Sequence, residues 1–231
     1  MSDNQSHQEH AKGVVATPCQ MCDDSGVWPI LPRHYCGCQA GVEREADDHE
    51  RAIEQRRSQA WAATGIPPRF EAFDLEAHPD RQAVEQVASW RPDATGTNLL
   101  ISGIVGSGKT GLIVGLAREL IASDITGIAF WSTPELLDRM RPPANFDPMR
   151  AVQRTRILIL DDLGVEKPSD WVRERMYVLL NARYEAILPT IVTSNADLAR
   201  LAGSLGERTI SRFSEHLRVV TITGRDRRAG T

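Results

Sequence analysis

Lysine is nearly missing from this 231-residue chain: of its 27 basic residues only Lys12, Lys109 and Lys167 are lysines. Each of the three therefore invites the question of what it is for. Cysteine is missing from everything after residue 38. Long apolar runs are missing as well. Even the clean run Ile157–Leu160 is far short of the roughly twenty residues that a membrane-spanning helix needs. The opening MSDNQSHQEHAKG has no apolar stretch of the kind a secretion signal requires, so the chain is expected in the cytoplasm with no membrane partner. With 41% hydrophobic and 25% charged residues, collagen-like and wholly disordered readings are excluded.

What is present is unevenly placed. Cys19, Cys22, Cys36 and Cys38 share a twenty-residue window. Two close thiolate pairs complete a tetrahedral Zn²⁺ shell, and a cytosolic setting disfavours disulfides. His34 or His49 is an alternative donor for one position. The surrounding segment, Thr17 to Gly41, is too rich in proline and glycine to bury a core of its own, so metal binding would supply its folding energy. Charge is uneven too. Residues 1–64 carry ten acids against six bases, whereas residues 200–231 carry seven arginines against three acids. The net charge of −4 thus conceals an acidic start and a basic end. The organisation expected is a disordered start (1–15), a zinc-binding module (16–41), an exposed linker helix (42–64) and one larger domain (65–231).

In that larger domain short apolar runs alternate with amphipathic ones, the pattern of an α/β fold with a mainly parallel sheet. Strands are expected at Asn98–Ser102, Gly127–Trp131, Arg156–Asp161, Thr190–Ser194 and Leu217–Thr223. Helices are expected at Arg81–Trp90, Lys109–Ala122, Pro134–Met140, Asp170–Ile187 and Leu205–Glu215. Between the first strand and its helix lies GIVGSGKT, Gly103–Thr110, which fits GxxxxGK[ST] in the strand-then-helix context that motif requires. Gly103, Gly106 and Gly108 let backbone N–H groups close on a nucleotide's phosphates, with Ser107 and Gly111 in the same wrap. Lys109 would reach the β- and γ-phosphates and Thr110 would ligate Mg²⁺. ILILDDLG, Ile157–Gly164, reads as a buried central strand ending in two acids. Asp161 would hold the Mg²⁺ shell and Asp162 would orient the attacking water. Asn195, at the tip of PTIVTSN, is placed to bond that water or the γ-phosphate. Arg208 and Arg212, four apart, share one helix face.

With GIPPRFEAFDL (Gly65–Leu75), GIVGSGKT, LILDDLG, LLNARYEAILPTIVTSN (Leu179–Asn195) and GERTISRF (Gly206–Phe213) in that order, the chain from about Gly65 to Thr223 resembles the AAA+ ATPases of the DnaC/IstB type. That group includes helicase loaders and transposition helper ATPases. The resemblance implies an AAA+ P-loop core of five parallel strands; in departure from the wider AAA+ pattern, no C-terminal lid domain is expected after the fifth. It also implies ATP near Gly65–Leu75, Asn195 as a sensor, and Arg212 as a finger toward ATP in a neighbouring subunit with Arg208 as its auxiliary. Hydrolysis would then be slow and depend on oligomer assembly, on DNA or on a partner. The family's usual Asp-Glu pair is Asp161-Asp162 here. By the same resemblance the cysteine module would dock on a replicative helicase, with hydrolysis acting as a release switch. Single-stranded DNA would meet the arginine-rich stretch Pro134–Arg156, at Arg139, Arg141, Phe146 and Arg150, and the tail GRDRRAGT is a further basic candidate. Two other readings stay open, a transposition helper ATPase and a zinc-dependent adaptor that binds ATP without useful turnover.

Overall fold

The computed structural model describes residues 19–28, 31–143, 147–164 and 169–223. The start expected to be disordered, Phe146 and the tail 224–231 lie outside them. The chain forms two compact units divided after Gln55. In the first, β1 (Val27–Trp28) and β2 (Leu31–Tyr35) make an antiparallel hairpin, followed by the start of α1 (Gln39–Ala62). The hairpin is absent from the sequence reading, since β1 has only two residues.

The second unit contains a sheet of five strands. These are β3 (Asn98–Gly103), β4 (Ile128–Ser132), β5 (Ile157–Leu163), β6 (Thr190–Ser194) and β7 (Leu217–Ile222). Their order is β4-β5-β6-β3-β7, and every pairing is parallel. Strand period two sorts the core. Leu99, Ile101, Ile157, Ile159 and Ile191 pack on one face with α2 (Arg81–Ala88) and α3 (Lys109–Ala122). Leu100, Leu158, Leu160 and Val192 pack on the other. That second face is covered by α4 (Thr133–Arg139), α5 (Met149–Arg154), α6 (Asp170–Glu185), α7 (Leu198–Leu205) and α8 (Glu207–Ser214). Covered on both faces, the inner strands β3, β5 and β6 are buried along most of their length, whereas the edge strand β7 leaves Arg218, Val219 and Thr221 exposed.

The expected five-stranded α/β fold is therefore present, with three differences of detail. Helix α5 is a single short piece that the proline-broken text hides. The helix read from Leu205 begins as α8 only at Glu207, because Gly206 sits at φ +95° between α7 and α8, a conformation that glycine tolerates and other residues resist. Helix α7 is announced only by its cap, the Asp197 side chain accepting from the Arg200 N–H at 2.9 Å. No helix among the described residues is long and apolar enough to cross a membrane.

After β3 the chain passes over two neighbours to the far edge of the sheet, then returns to place β7 on the other side of β3. In such a sheet the crevice at the carboxyl ends of the strands is the ligand position. A strap, residues 65–80, crosses α3 beside it. Gly115 allows this contact, since a Cβ there would lie 2.8 Å from the Leu75 backbone.

Arg183, on α6, is only 1% exposed. It donates to Thr190 Oγ1 and to the carbonyls of Val152, Thr155 and Pro189, at 2.6–2.9 Å. Burial pushes its guanidinium down to about 9, so it keeps its charge at neutral pH, balanced by those carbonyl dipoles. The residue joins α5, α6 and the entry to β6. Replacing it with Met removes the guanidinium donor from four acceptors, and Arg183→Met should lower stability by about 3 kcal/mol, read from urea unfolding.

Candidate functional site

At the carboxyl edge of the sheet a cleft of about 540 Å³ is lined by Val105, Gly106, Gly108, Lys109, Thr110 and Gly111 from the glycine-rich turn, by Asp161, Asp162 and Asn195 from strand ends, and by Arg69, Phe70 and Phe73 from the strap. The turn is tight because its glycines permit it. Gly106 and Gly108 lie at φ +76° and +95°. A Cβ on Gly103 would lie 3.0 Å from the Ile222 carbonyl and from Ser107 Oγ. Helix α3 starts at Gly108 with no side-chain cap, so its first-turn N–H groups are left for a ligand, and the helix dipole favours an anion there.

Lys109 is 95% buried, at 5% exposure. Its ammonium donates to the carbonyls of Gly103 and Ile104 at 2.9 and 2.8 Å and to Asn195 Oδ1 at 2.6 Å. The lysine and the asparagine singled out in the sequence, 86 positions apart, thus meet directly.

Asp161 is the other fixed point. Its carboxylate accepts from Thr193 Oγ1 at 2.6 Å and from Thr110 Oγ1 at 3.0 Å. Its carbonyl accepts from Thr133 Oγ1 at 3.0 Å. Burial pushes the Asp161 carboxyl above its usual range and the neighbouring charge of Asp162 adds to this, while the hydroxyls of Thr193 and Thr110 and the ammonium of Lys109 oppose it. Two hard oxygen donors, Thr110 Oγ1 and the Asp161 carboxylate, converge at the mouth of the phosphate turn, a donor set that fits Mg²⁺. Asp162 follows at φ +58°, where the register with β6 shifts. Its N–H donates to Thr193 Oγ1 at 2.9 Å, and the bulge turns its half-buried side chain to line the cleft.

The strap supplies an apolar wall. Phe70 and Phe73 stack at 5.7 Å between centroids, and Phe73 stays 43% exposed, a flat face presented beside the phosphate turn. Sequence reading reached this wall only through family resemblance. Thr193 and Thr133 it missed altogether. Each stands among other polar residues, Thr133 in WSTPE and Thr193 in TIVTSN, so no pattern singles either out.

Arg208 and Arg212 lie elsewhere. Both guanidinium groups sit over the Tyr177 ring, at 5.3 and 5.2 Å, and Arg212 donates to the Tyr177 hydroxyl at 2.8 Å. Phe213 and His216, close to Arg212 in the chain, bond through their carbonyls to Asn98 at the start of β3. The glycine turn lies at the other end of that strand, about 17 Å away at 3.3 Å per residue. Arg212 therefore does not line the cleft of its own chain.

Of the arginines considered for nucleic acid, Arg139 pairs with Glu135 at 2.9 Å and lies over Trp131. Arg141 lies over Trp171, and Arg150 is exposed.

In the first unit the four cysteine sulfurs lie within 4.8 Å of one another. Cys19 and Cys36 are 3.7 Å apart, and Cys22 and Cys38 are 3.6 Å apart. A tetrahedral shell with Zn–S bonds near 2.3 Å has sulfurs about 3.8 Å apart, so the donor set is compatible with zinc. Neither His34 nor His49 joins the cluster. Hydrogen bonding from the Met21 backbone draws the Cys19 thiol down to about 7, and burial pushes the Cys22 thiol up to about 12. A Cβ on Gly41 would lie 1.8 Å from the Cys36 carbonyl, so only glycine lets α1 start against the cluster.

A parallel sheet in this order, with a phosphate turn at the end of β3 and an acid pair on β5, the next strand but one, defines an ATPase of the AAA+ class. The chain belongs to the family of IstB-like ATP binding proteins, whose model matches residues 42–229. It is 25% identical over 163 residues to the replicative helicase loader DnaI of Bacillus subtilis, covering 67% of this chain and 52% of DnaI. The chain therefore spans about half the length of that relative. It is 26% identical over 201 residues to the putative ATP-binding protein of insertion sequence IS21 from Pseudomonas aeruginosa, covering 81% and 73% of the two chains. Among solved structures, that of the DnaC helicase loader superposes with a TM-score of 0.59 at 28% identity, covering 68% of this chain and all of that one.

If the cysteines hold zinc, the purified chain carries about one zinc per molecule and Cys22→Ser loses it, as read by elemental analysis. Full occupancy without Cys22 would remove the cluster as the site.

Proposed function

We propose that this protein is an ATP-dependent loader of a replicative hexameric helicase. The observation that carries the reading is the match to helicase loaders, in sequence with DnaI and in structure over the whole solved length of the DnaC chain. In this reading Lys109 exchanges its bonds to Gly103, Ile104 and Asn195 for the β- and γ-phosphates. Thr110 and Asp161 hold Mg²⁺, which would neutralise phosphate charge. Asp162 orients the attacking water, and Asn195, released from Lys109, senses the γ-phosphate. Arg212, with Arg208 as its auxiliary, completes the site of a neighbouring subunit. Its distance from its own cleft supports a role in trans, and an oligomer is the necessary consequence. Tyr177, which underlies both arginines, holds them ready.

The module over residues 16–41 is proposed to hold zinc and, with the helix that follows, to dock on the helicase. The acidic balance of residues 1–64 favours a protein partner over phosphate contact there. Single-stranded DNA would meet Arg139, Arg141 and Arg150, although the pairing of Arg139 with Glu135 reduces the free charge of this stretch. Work in the cytoplasm completes the proposal.

A second reading, a transposition helper ATPase, is supported by the long match to the IS21 protein. Affinity capture with the full chain in the presence of ATP separates the two. A replicative helicase should be recovered, and Lys109→Ala should reduce its recovery at least fivefold. Recovery of a transposase instead would overturn the loader. Recovery of the helicase unaffected by Lys109→Ala would favour an adaptor that has no use for turnover.

A further inference from the structure

His78 belongs to none of the motifs above, yet it is 5% exposed and reaches the phosphate turn. Its Nδ1 accepts the backbone N–H of Asp80 at 3.2 Å, which places the ring proton on Nε2. Nε2 lies 3.0 Å from the carbonyl oxygen of Ser107 and so donates to it. Ser107 is the residue between the two left-handed glycines of the turn, Gly106 and Gly108. In a planar trans peptide the C=O of one residue and the N–H of the next point in opposite directions. A donor that pulls the Ser107 carbonyl outward therefore aims the Gly108 N–H toward the cleft, where a phosphate would sit.

We propose that His78 is a positioning residue for nucleotide binding, which holds the Ser107–Gly108 peptide in the orientation that directs the Gly108 N–H at the phosphates. The need for such a clamp follows from the glycine that ends the peptide. Gly108 has no Cβ to restrict it and sits at φ +95°, so that end would otherwise turn readily. The side chain of Ser107 does not fix it, since its buried Oγ has no hydrogen-bond partner. The histidine itself is held firmly. Its own N–H bonds the Leu75 carbonyl at 3.2 Å, Leu75 packs on Gly115 of α3, and Asp80 caps α2 through the Ala83 N–H at 3.0 Å. One residue thereby ties the strap that carries Phe70 and Phe73 to the turn that would hold the phosphates.

The inference rests on ATP binding at this turn, and its test uses a pair of amides that differ only in reach. In His78→Gln the side-chain amide extends far enough to donate to the Ser107 carbonyl, whereas in His78→Asn it falls short. ATP affinity of the full chain is measured by fluorescence titration, with thermal unfolding of each variant followed without nucleotide. His78→Asn should bind ATP roughly tenfold more weakly, the size of one lost buried hydrogen bond, and His78→Gln should stay within about threefold of wild type. Equal affinity of the two variants, whether strong or weak, overturns the proposal, as does a loss in His78→Asn that merely follows its unfolding temperature. Lys109→Ala is the control: failure of the wild-type chain to bind ATP any better than Lys109→Ala would contradict the ATP reading itself.

Discussion

The carboxylate of Asp161 is the constraint around which the second unit is arranged. A carboxylate at 5% exposure is costly unless its oxygens find donors. Here the donors come from two other elements, Thr193 on β6 and Thr110 at the start of α3. A third hydroxyl, that of Thr133, bonds the Asp161 carbonyl from the start of α4. These bonds register β5 against β6 and both against the phosphate turn. They also explain the irregular pairing after Leu160, since the Asp162 N–H is diverted to the same Thr193 hydroxyl. The conformation that results sends one acid inward and leaves the next to face the cleft. Two adjacent carboxylates thus acquire different environments from one hydroxyl.

The parts legible in the sequence were those written in short-range patterns. Apolar alternation located the five strands, and the glycine turn together with its following lysine located the cleft. The four cysteines located a cluster whose sulfurs do converge. What remained hidden depends on contacts between distant positions. His78 meets a backbone carbonyl, which no side-chain motif can encode. Gly115 reads as a weak point in a helix, yet its missing Cβ is what admits the Leu75 backbone. The two-residue strand β1 carries too little text to register, and the short helix α7 shows only in its Asp197 cap. Arg183 looked like part of a family signature and proves to be a tie among backbone carbonyls.

Lysine scarcity also gains a meaning. Where arginine supplies most of the positive charge, the single lysine of the turn occupies a place that a planar guanidinium would fill poorly: three acceptors surround a compact ammonium. Its bond to Asn195 links the phosphate turn to the tip of β6, so a change at either residue would be felt at the other. Arginines, by contrast, lie over aromatic rings. Arg208 and Arg212 over Tyr177 are the pair that the proposed mechanism places at a subunit boundary.

The proposed function requires that the cleft of one chain be completed by Arg212 of another. Mixing two inactive variants tests it directly. Lys109→Ala cannot hold ATP but offers an intact Arg212, whereas Arg212→Ala holds ATP without offering a finger. Each variant alone should have negligible ATPase activity, and an equal mixture should regain a measurable fraction of wild-type activity, because some interfaces then pair a whole cleft with a whole finger. A mixture no more active than its components, or full activity in Arg212→Ala alone, would contradict it.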